Sequence, residues 1–301
     1  MTETTEALPE GVAHAEPFEA ATPHGTIRGR RFVTASERPG TPLVILHGGP
    51  GASSDYLAPL AALADARDVI LYDQIGCGAS DQPSDETAWS VDSYVAHLRL
   101  VLDRLGIERA VILGHSWGGM LALAAQAAHP DTVAGLILAS PLVDVADWVA
   151  DANSLIEALP EPHRTALLAG EADPGYAAGE AEFYRRHFCK LDPWPAILER
   201  SMADMDQASY NAMWGPNEFT QTGNLRGASY ASRIRDIAIP ILWITGADDE
   251  ARPETLRRYA ATGTSSTVEN TVEVLAGGTH NVHLEQPEAY LAALRRFLTT
   301  L

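Results

Sequence analysis

Apolar runs alternate with amphipathic segments along most of this chain, and the alternation predicts its secondary structure. Short runs of β-branched and aliphatic residues predict buried strands at 42–46, 69–72, 110–113, 133–139, 239–245 and 272–275. Apolar residues at helical spacing predict helices at 91–105, 120–124, 253–261 and 287–300. Strands and helices in alternation indicate an α/β fold, with a mainly parallel sheet covered by helices on both faces.

The chain begins with an acidic stretch that a predicted hairpin follows. The first 20 residues hold five Glu and no Lys or Arg, and residues 1–17 are predicted to be a flexible N-terminus. A secretory signal needs a basic start and an apolar run, so we expect a cytoplasmic protein. Strands at 18–21 and 26–34, separated by Pro23-His24-Gly25, are predicted to open the sheet.

Residues 141–236 interrupt the alternation and predict an inserted helical lid. Prolines break this segment into several short helices, and it is rich in Trp, Tyr and Phe, which would let it pack as a lid. The flanking parts, 18–140 and 237–301, are predicted to form the α/β core. A chain of 301 residues, 46% of them apolar, is long enough for one large core with such an insertion.

Composition argues against several classes of partner. The formal net charge of −19 opposes binding to nucleic acid or to anionic lipid, and it favours small cations, although solubility alone also accounts for it. No apolar run approaches the roughly 20 residues that a membrane span needs, so we expect no membrane partner. The two cysteines form no C-x-x-C pair and no H-E-x-x-H cluster occurs, so neither a metal nor a cofactor is predicted.

A strand-to-helix turn at Gly114-His115-Ser116-Trp117-Gly118 carries the strongest chemical signal. G-x-S-x-G between a buried strand and a helix presents an exposed serine on a tight turn. The N-terminal end of the following helix carries a positive partial charge, which suits a reaction that creates negative charge at Ser116. Taken alone, the motif also fits an ordinary glycine-rich turn.

A serine nucleophile needs a histidine base and a carboxylate that orients the base. Candidates follow two predicted strands, as Gly246-Ala247-Asp248-Asp249-Glu250 and as Gly277-Gly278-Thr279-His280-Asn281. Both segments lie at the carboxyl ends of parallel strands, where open α/β sheets bind ligands, and the order Ser, Asp, His is that of the α/β-hydrolases. His283 competes with His280 as the base or as half of a metal pair, and the pattern does not choose between Asp248 and Asp249.

Acyl transfer also needs hydrogen-bond donors for the oxyanion of the tetrahedral intermediate. His47-Gly48-Gly49-Pro50-Gly51 directly follows a predicted strand, where a glycine-rich loop can turn its backbone N–H groups inward. The N–H of Trp117, next to the nucleophile, is a second candidate donor. A Gly-Pro turn without a role in catalysis is the alternative interpretation of this loop.

With these motifs in place, the chain from about Phe18 to its C-terminus resembles the proline iminopeptidases, serine aminopeptidases of the α/β-hydrolase superfamily that are related to L-amino-acid amidases. Four motifs carry the resemblance: 47–51, Tyr72-Asp73-Gln74-Ile75-Gly76-Cys77-Gly78-Ala79-Ser80, the turn at 114–119, and Gly215-Pro216-Asn217-Glu218-Phe219-Thr220 in the predicted lid. The chain departs from the commonest family pattern in having His115 before the nucleophile, where glycine is frequent, and in its acidic first 17 residues.

The resemblance implies a catalytic role for five residues. Ser116 would be the nucleophile, Asp249 the orienting acid and His280 the base. The N–H groups of Gly49 and Trp117 would form the oxyanion hole.

The resemblance also implies a substrate-binding role for three residues. Glu218 and Glu250 would bind the free α-ammonium of the substrate, since paired carboxylates in a partly desolvated pocket attract a cation and discriminate against blocked N-termini. Tyr210 would lie near the site as a lid tyrosine. Each glutamate taken singly also fits a solvated surface position.

The expected function is therefore release of an N-terminal residue, preferably proline, from short peptides through an acyl-enzyme. An L-amino-acid amidase or esterase would use the same residues on a smaller leaving group. A non-catalytic binding protein of the same fold is a third hypothesis, and it would predict loss of a catalytic residue, which this sequence does not show. The expected partner is a small peptide or amino-acid amide with a free α-amine.

Overall fold

The computed structural model describes residues 8–83, 85–263 and 269–301, which form an eight-stranded sheet with helices on both faces. The strands are β1 (Val12–Thr22), β2 (Gly25–Thr34), β3 (Leu43–Leu46), β4 (Val69–Tyr72), β5 (Ala110–His115), β6 (Val133–Ala139), β7 (Ile241–Gly246) and β8 (Asn270–Leu275). Their order across the sheet is β1-β2-β4-β3-β5-β6-β7-β8. From β4 to β8 every pairing is parallel, and β1 and β2 add an antiparallel hairpin at one edge.

The described ranges contain ten α-helices, of which the last two follow β8. They are α1 (Val91–Leu105), α2 (Trp117–Ala128), α3 (Val145–Glu157), α4 (His163–Ala169), α5 (Tyr176–His187), α6 (Ala196–Ala203), α7 (Gln207–Met213), α8 (Pro253–Ala260), α9 (Val282–Glu285) and α10 (Pro287–Leu298). Longer 3₁₀ segments lie at Ser54–Asp65 and Ala231–Asp236. The predicted α/β-hydrolase architecture, with a mainly parallel sheet between helical layers, is confirmed.

Two apolar layers explain why the central strands are uninterrupted apolar runs. Successive side chains of a strand point to opposite faces, so Val44 and Leu46 belong to the apolar layer that includes residues of α1, α2 and α8 on one side of the sheet. Leu43 and Ile45 pack with α10 and the 3₁₀ segment at 54–65 on the other side. A strand with both faces buried gains from apolar residues at every position, which is typical of parallel sheets.

The first strand begins six residues earlier than the sequence suggests. Residues 12–17 were expected to be flexible, but they belong to β1 and pair with β2, with Glu16 opposite Arg31 in the register. Because β1 is an edge strand, it exposes charged side chains and tolerates Pro17, and these residues hide the strand pattern. One ion pair crosses between the two strands, from Arg28 Nε on β2 to Glu19 Oε1 on β1 at 3.0 Å. Residues 1–7 of the predicted acidic terminus lie outside the described residues.

The stretch from 141 to 236, for which an inserted lid is expected, contains α3 to α7 and the 3₁₀ segment at Ala231–Asp236. It connects β6 to β7, so it leaves and re-enters the sheet between two adjacent parallel strands. Its aromatic side chains pack together: the Tyr184 ring lies 6.3 Å from that of Phe183 and 5.3 Å from that of Phe188, between centroids. Within the described ranges, no helix combines the length and the apolar character needed to cross a bilayer.

The two-layer core makes a direct prediction about stability. Leu113 on β5 is fully buried and Leu168 on α4 is 55% exposed, so the same truncation at the two sites separates core packing from surface effects. Leu113→Ala should lower the free energy of unfolding by about 2 to 5 kcal/mol, because it leaves a cavity in the core. Leu168→Ala should change it by less than about 0.5 kcal/mol. Urea denaturation measures both, and equal effects would contradict the packing described above.

Candidate active site

Ser116 lies at the sharp turn between β5 and α2. Its backbone has φ 57° and ψ −123°, a conformation that side chains of L-residues rarely adopt and that is retained mainly at functional sites. The Ser116 N–H donates to the carbonyl of Ala139 at 3.0 Å, which ties the turn to the end of β6. The start of α2 packs closely against the end of β3 because Gly118 has no side chain: a Cβ there would lie 2.2 Å from the Leu46 carbonyl oxygen.

Asp249 and His280 form a buried pair at the carboxyl ends of β7 and β8. His280 Nδ1 donates to Asp249 Oδ1 at 2.9 Å, and the Ala251 N–H donates to the same oxygen at 2.8 Å. The other oxygen, Oδ2, accepts from the hydroxyls of Ser140 at 2.5 Å and Thr245 at 2.6 Å. Four donors on one carboxylate fix its orientation, and it in turn fixes the tautomer of the His280 ring.

The neighbouring candidates, Asp248 and His283, lie apart from this pair. Asp248 is exposed, and its Oδ2 accepts from Lys190 Nζ at 2.5 Å. His283 is buried and its Nε2 donates to the carbonyl of Tyr56 at 3.1 Å. Burial lowers the pKa of His283 to about 4, so the ring stays neutral. The structure thus brings Asp249, rather than Asp248, to His280.

Ser116 and His280 line the same cavity, which has a volume of about 260 Å³. The His280 ring lies between two aromatic side chains: Phe188 stacks on it at 5.6 Å between centroids, and Trp148 contacts its edge at 5.9 Å. No hydrogen bond joins the Ser116 hydroxyl to another side chain in the described part of the chain. In hydrolases without substrate, the bond between nucleophile and base is often long and tightens when substrate binds.

The loop after β3, residues 47–51, lies directly against Ser116. A Cβ at Gly48 would lie 2.9 Å from the Ser116 Cβ, and Gly49 has φ 110°, which only glycine adopts without strain. Across residues 8–83, 85–263 and 269–301, neither the Gly49 N–H nor the Trp117 N–H finds an acceptor. Two unpaired donors beside a serine are the arrangement that an oxyanion hole requires.

Gln74, in the 72–80 motif, links this loop to the strand-to-helix turn that holds Ser116. Its backbone N–H donates to His47 Nε2 and its side-chain amide donates to the His47 carbonyl, both at 2.9 Å. The Trp117 indole N–H donates to Gln74 Oε1 at 3.0 Å. Gln74 therefore makes hydrogen bonds to both of the segments that carry the proposed oxyanion donors.

Two glutamates line the cavity, Glu250 from the segment after β7 and Glu218 from the 141–236 segment. Glu218 Oε1 accepts from the Trp148 indole N–H at 2.9 Å, and its Oε2 accepts from the Tyr210 hydroxyl at 3.3 Å. Glu250 is 4% exposed, its Oε1 lies 3.6 Å from His280 Nδ1, and its Oε2 has no hydrogen-bond partner among the described residues. Tyr210 lines the same cavity.

Burial raises the pKa of both glutamates. The effect is greater for Glu250, where the nearby carboxylates of Glu218 and Asp249 raise the pKa further. For Glu218, the hydrogen bonds from Trp148 and Tyr210 oppose the effect of burial. A pocket with two desolvated carboxylates and one unpaired oxygen stabilises a cation that brings its own N–H donors.

Three residues of this site belong to none of the sequence motifs described above. Ser140 and Thr245, which donate to Asp249, lie at the carboxyl ends of the parallel strands β6 and β7. Position at a strand end also locates Asp249 and His280, so it could have identified these two residues. Glu180 on α5 also lines the cavity, and burial raises its pKa. No sequence motif marks Glu180, since only the packing of α5 brings it to the cavity. In the described ranges, no group of three or more His, Cys, Asp and Glu side chains is arranged to hold a metal ion.

Comparison with known proteins places this site in a family. Residues 41–287 match the family model described as the alpha/beta hydrolase fold. The proline iminopeptidase of Heyndrickxia coagulans is 38% identical over 268 residues, which cover 87% of this chain and 92% of that protein. The crystal structure of the proline iminopeptidase of Mycobacterium smegmatis superposes with a TM-score of 0.88 at 34% identity, covering 95% of this chain and 98% of that one.

A second solved structure, that of VinJ, superposes with a TM-score of 0.87 at 31% identity and covers 95% of this chain and 99% of that chain. The similarity to these proteins extends over the core and the 141–236 segment together. The chain is therefore a member of the α/β-hydrolase superfamily and belongs, within it, to the proline iminopeptidase family.

Proposed function

We propose that this protein is a serine aminopeptidase that releases an N-terminal residue, preferably proline, from short peptides. One observation carries the proposal: Glu218 and Glu250 line the same cavity as Ser116 and His280. A hydrolase for uncharged esters has no use for two buried carboxylates beside its base, because their desolvation costs free energy. A substrate with a free α-ammonium offsets this cost when it binds.

In the proposed reaction, Ser116 attacks the carbonyl carbon of the N-terminal residue. His280 Nε2 takes the hydroxyl proton, and the Asp249 carboxylate on Nδ1 stabilises the resulting imidazolium. The N–H groups of Gly49 and Trp117 bind the oxyanion. His280 then gives its proton to the leaving amine, and water, activated by the same imidazole, hydrolyses the acyl-enzyme.

The cavity also supports a preference for a small residue with two N–H donors. The secondary ammonium of an N-terminal proline carries two N–H bonds, one for each of the carboxylates Glu218 and Glu250. Apolar and aromatic side chains that would contact a pyrrolidine ring form much of the remaining wall: Leu142, Trp148, Tyr184, Phe188 and Trp214. Closure by the 141–236 segment, acting as a lid, would admit short peptides and exclude folded ones.

A substrate panel tests this function against an amino-acid amidase. We expect prolyl-β-naphthylamide to give a higher kcat/KM than alanyl- or leucyl-β-naphthylamide, and N-acetylprolyl-β-naphthylamide to lose at least about 100-fold, since it has no ammonium. Ser116→Ala should abolish all of these activities. Similar kcat/KM values for the free amides of different amino acids, together with poor cleavage of peptides, would favour the amidase. Equal rates on acetylated and free substrates would overturn the ammonium site.

If Glu218 and Glu250 bind the ammonium, replacing either one should impair activity only on substrates that carry an ammonium. Glu218→Gln and Glu250→Gln each remove a charge with little change of shape, and each should raise KM for prolyl-β-naphthylamide by about 10- to 100-fold. Hydrolysis of p-nitrophenyl acetate, which has no ammonium, should change by less than about threefold. Asp248→Asn removes an exposed carboxylate next to Asp249 and is the matched control. A glutamate variant that loses both activities equally would contradict the assigned role.

The raised pKa values of Glu218 and Glu250 predict a pH dependence of substrate binding. A carboxyl with a raised pKa becomes neutral at a higher pH than the ordinary value of about 4.3, so its attraction for an ammonium fails earlier on acidification. KM for prolyl-β-naphthylamide should therefore rise as pH falls, and the rise should begin at a pH above the range in which an ordinary glutamate titrates. KM for p-nitrophenyl acetate should stay constant there. Parallel KM profiles for the two substrates would contradict the prediction.

A further inference from the structure

His115, directly before the nucleophile, lies at the centre of a buried chain of hydrogen bonds. Its Nδ1 lies 2.9 Å from the Tyr56 hydroxyl, and its Nε2 lies 3.0 Å from the carbonyl oxygen of His280. The Tyr56 hydroxyl oxygen accepts from the backbone N–H of Gly48 at 2.8 Å. This chain joins the loop that carries Gly49 to the residue that supplies the base.

The direction of each hydrogen bond follows from its partners. A carbonyl oxygen only accepts, so His115 Nε2 carries the proton and donates to His280. His115 Nδ1 is then the bare nitrogen, which accepts from the Tyr56 hydroxyl, and the Tyr56 oxygen accepts from Gly48. Burial and the neighbouring rings of His280 and His283 lower the pKa of His115 well below its usual value, so the neutral ring persists.

Each end of the chain is anchored by a different part of the fold. Tyr56 belongs to the 3₁₀ segment at 54–65, and its carbonyl oxygen accepts from His283 Nε2 at 3.1 Å. The backbone N–H of His280 donates to the carbonyl of His187, at the end of α5, at 3.0 Å. With its N–H held by α5 and its carbonyl held by His115, the His280 backbone has little freedom to shift.

We propose that Tyr56 and His115 are positioning residues, which hold the oxyanion loop and the base His280 at a constant separation across Ser116. The inference rests on the proposed serine hydrolase function. His115, which departs from the commonest family pattern, acquires a role through this contact, because a glycine in its place has no side chain to link Tyr56 to His280. Neither residue takes part in a bond-making step.

The expected effect lies in the chemical step. A displacement of about 1 Å between reacting groups can lower a rate by about 100-fold, and loss of one oxyanion donor lowers kcat by about 100- to 1,000-fold. Removing the Tyr56 hydroxyl leaves the Gly48 N–H and His115 Nδ1 without partners, while both ends of the chain keep their other contacts. We therefore expect a partial loss, smaller than that from deleting a donor.

Tyr56→Phe tests the proposal, with Tyr290→Phe as its control. Tyr290 is also buried, its ring contacts His283, and its hydroxyl has no hydrogen-bond partner in the described ranges, so the control removes an equivalent atom that links nothing. With p-nitrophenyl acetate, Tyr56→Phe should lower kcat about 10- to 100-fold and leave KM within about twofold. Tyr290→Phe should leave both within about twofold, and thermal melting confirms that each variant folds.

A double-mutant cycle with His115→Leu asks whether the two residues act as one unit. If they do, the double variant loses about as much kcat as the more damaging single variant, whereas independent effects multiply. If His115→Leu fails to fold, the comparison of Tyr56→Phe with Tyr290→Phe decides alone. Wild-type kcat in Tyr56→Phe, or a rise in KM with unchanged kcat, would overturn the proposal, as would multiplying effects in the cycle.

The choice of ester separates this proposal from the proposed function. Cleavage of p-nitrophenyl acetate but of no prolyl substrate by the unaltered protein would refute the aminopeptidase function, and the kcat of Tyr56→Phe on the ester would still decide on positioning. If the unaltered protein cleaves neither substrate, Ser116 is not an activated nucleophile, and the positioning role fails with it.

Discussion

The hydrogen bond between His280 Nδ1 and Asp249 Oδ1 is the interaction on which the rest of this site depends. It requires two side chains from different strand ends to meet in a place closed to water, where a charged partner has its greatest effect. The parallel order β6-β7-β8 brings the ends of these strands to one edge of the sheet. Ser140 and Thr245, at the ends of β6 and β7, then saturate the second oxygen of Asp249.

The same burial that suits this pair makes the neighbouring carboxylates costly. Glu250 is almost completely buried, and one of its oxygens has no partner among the residues that the structure describes. Glu218 accepts hydrogen bonds from Trp148 and Tyr210. Such groups destabilise the site and gain most from a cation that reaches them, and under the proposed function this gain selects substrates with a free amine. In the proposed function, binding of the amine orders the substrate against Ser116.

The sequence predicts most of the sheet because its strands are buried on both faces and their composition shows it. The edge strand β1 is hidden by exposed residues that do not favour strands, such as Glu16 and Pro17. In the 3₁₀ segment at 54–65, Pro59 obscures the near-helical spacing of the buried residues. The segments that hold Ser116, Asp249 and His280 lie at strand ends and can be located from the sequence pattern. The choice of Asp249 over Asp248, the approach of Glu180 and the link through His115 depend on tertiary contacts that no local pattern encodes.

Reaction with a fluorophosphonate, followed by mass spectrometry of the labelled peptide, tests the central claim most directly. An activated Ser116 should take up one equivalent of the reagent, and Asp249→Asn should slow the reaction by about 1,000- to 10,000-fold, because the His280 ring loses its orienting partner. Labelling at another residue, or an unchanged rate in Asp249→Asn, would contradict the account of how this serine becomes reactive.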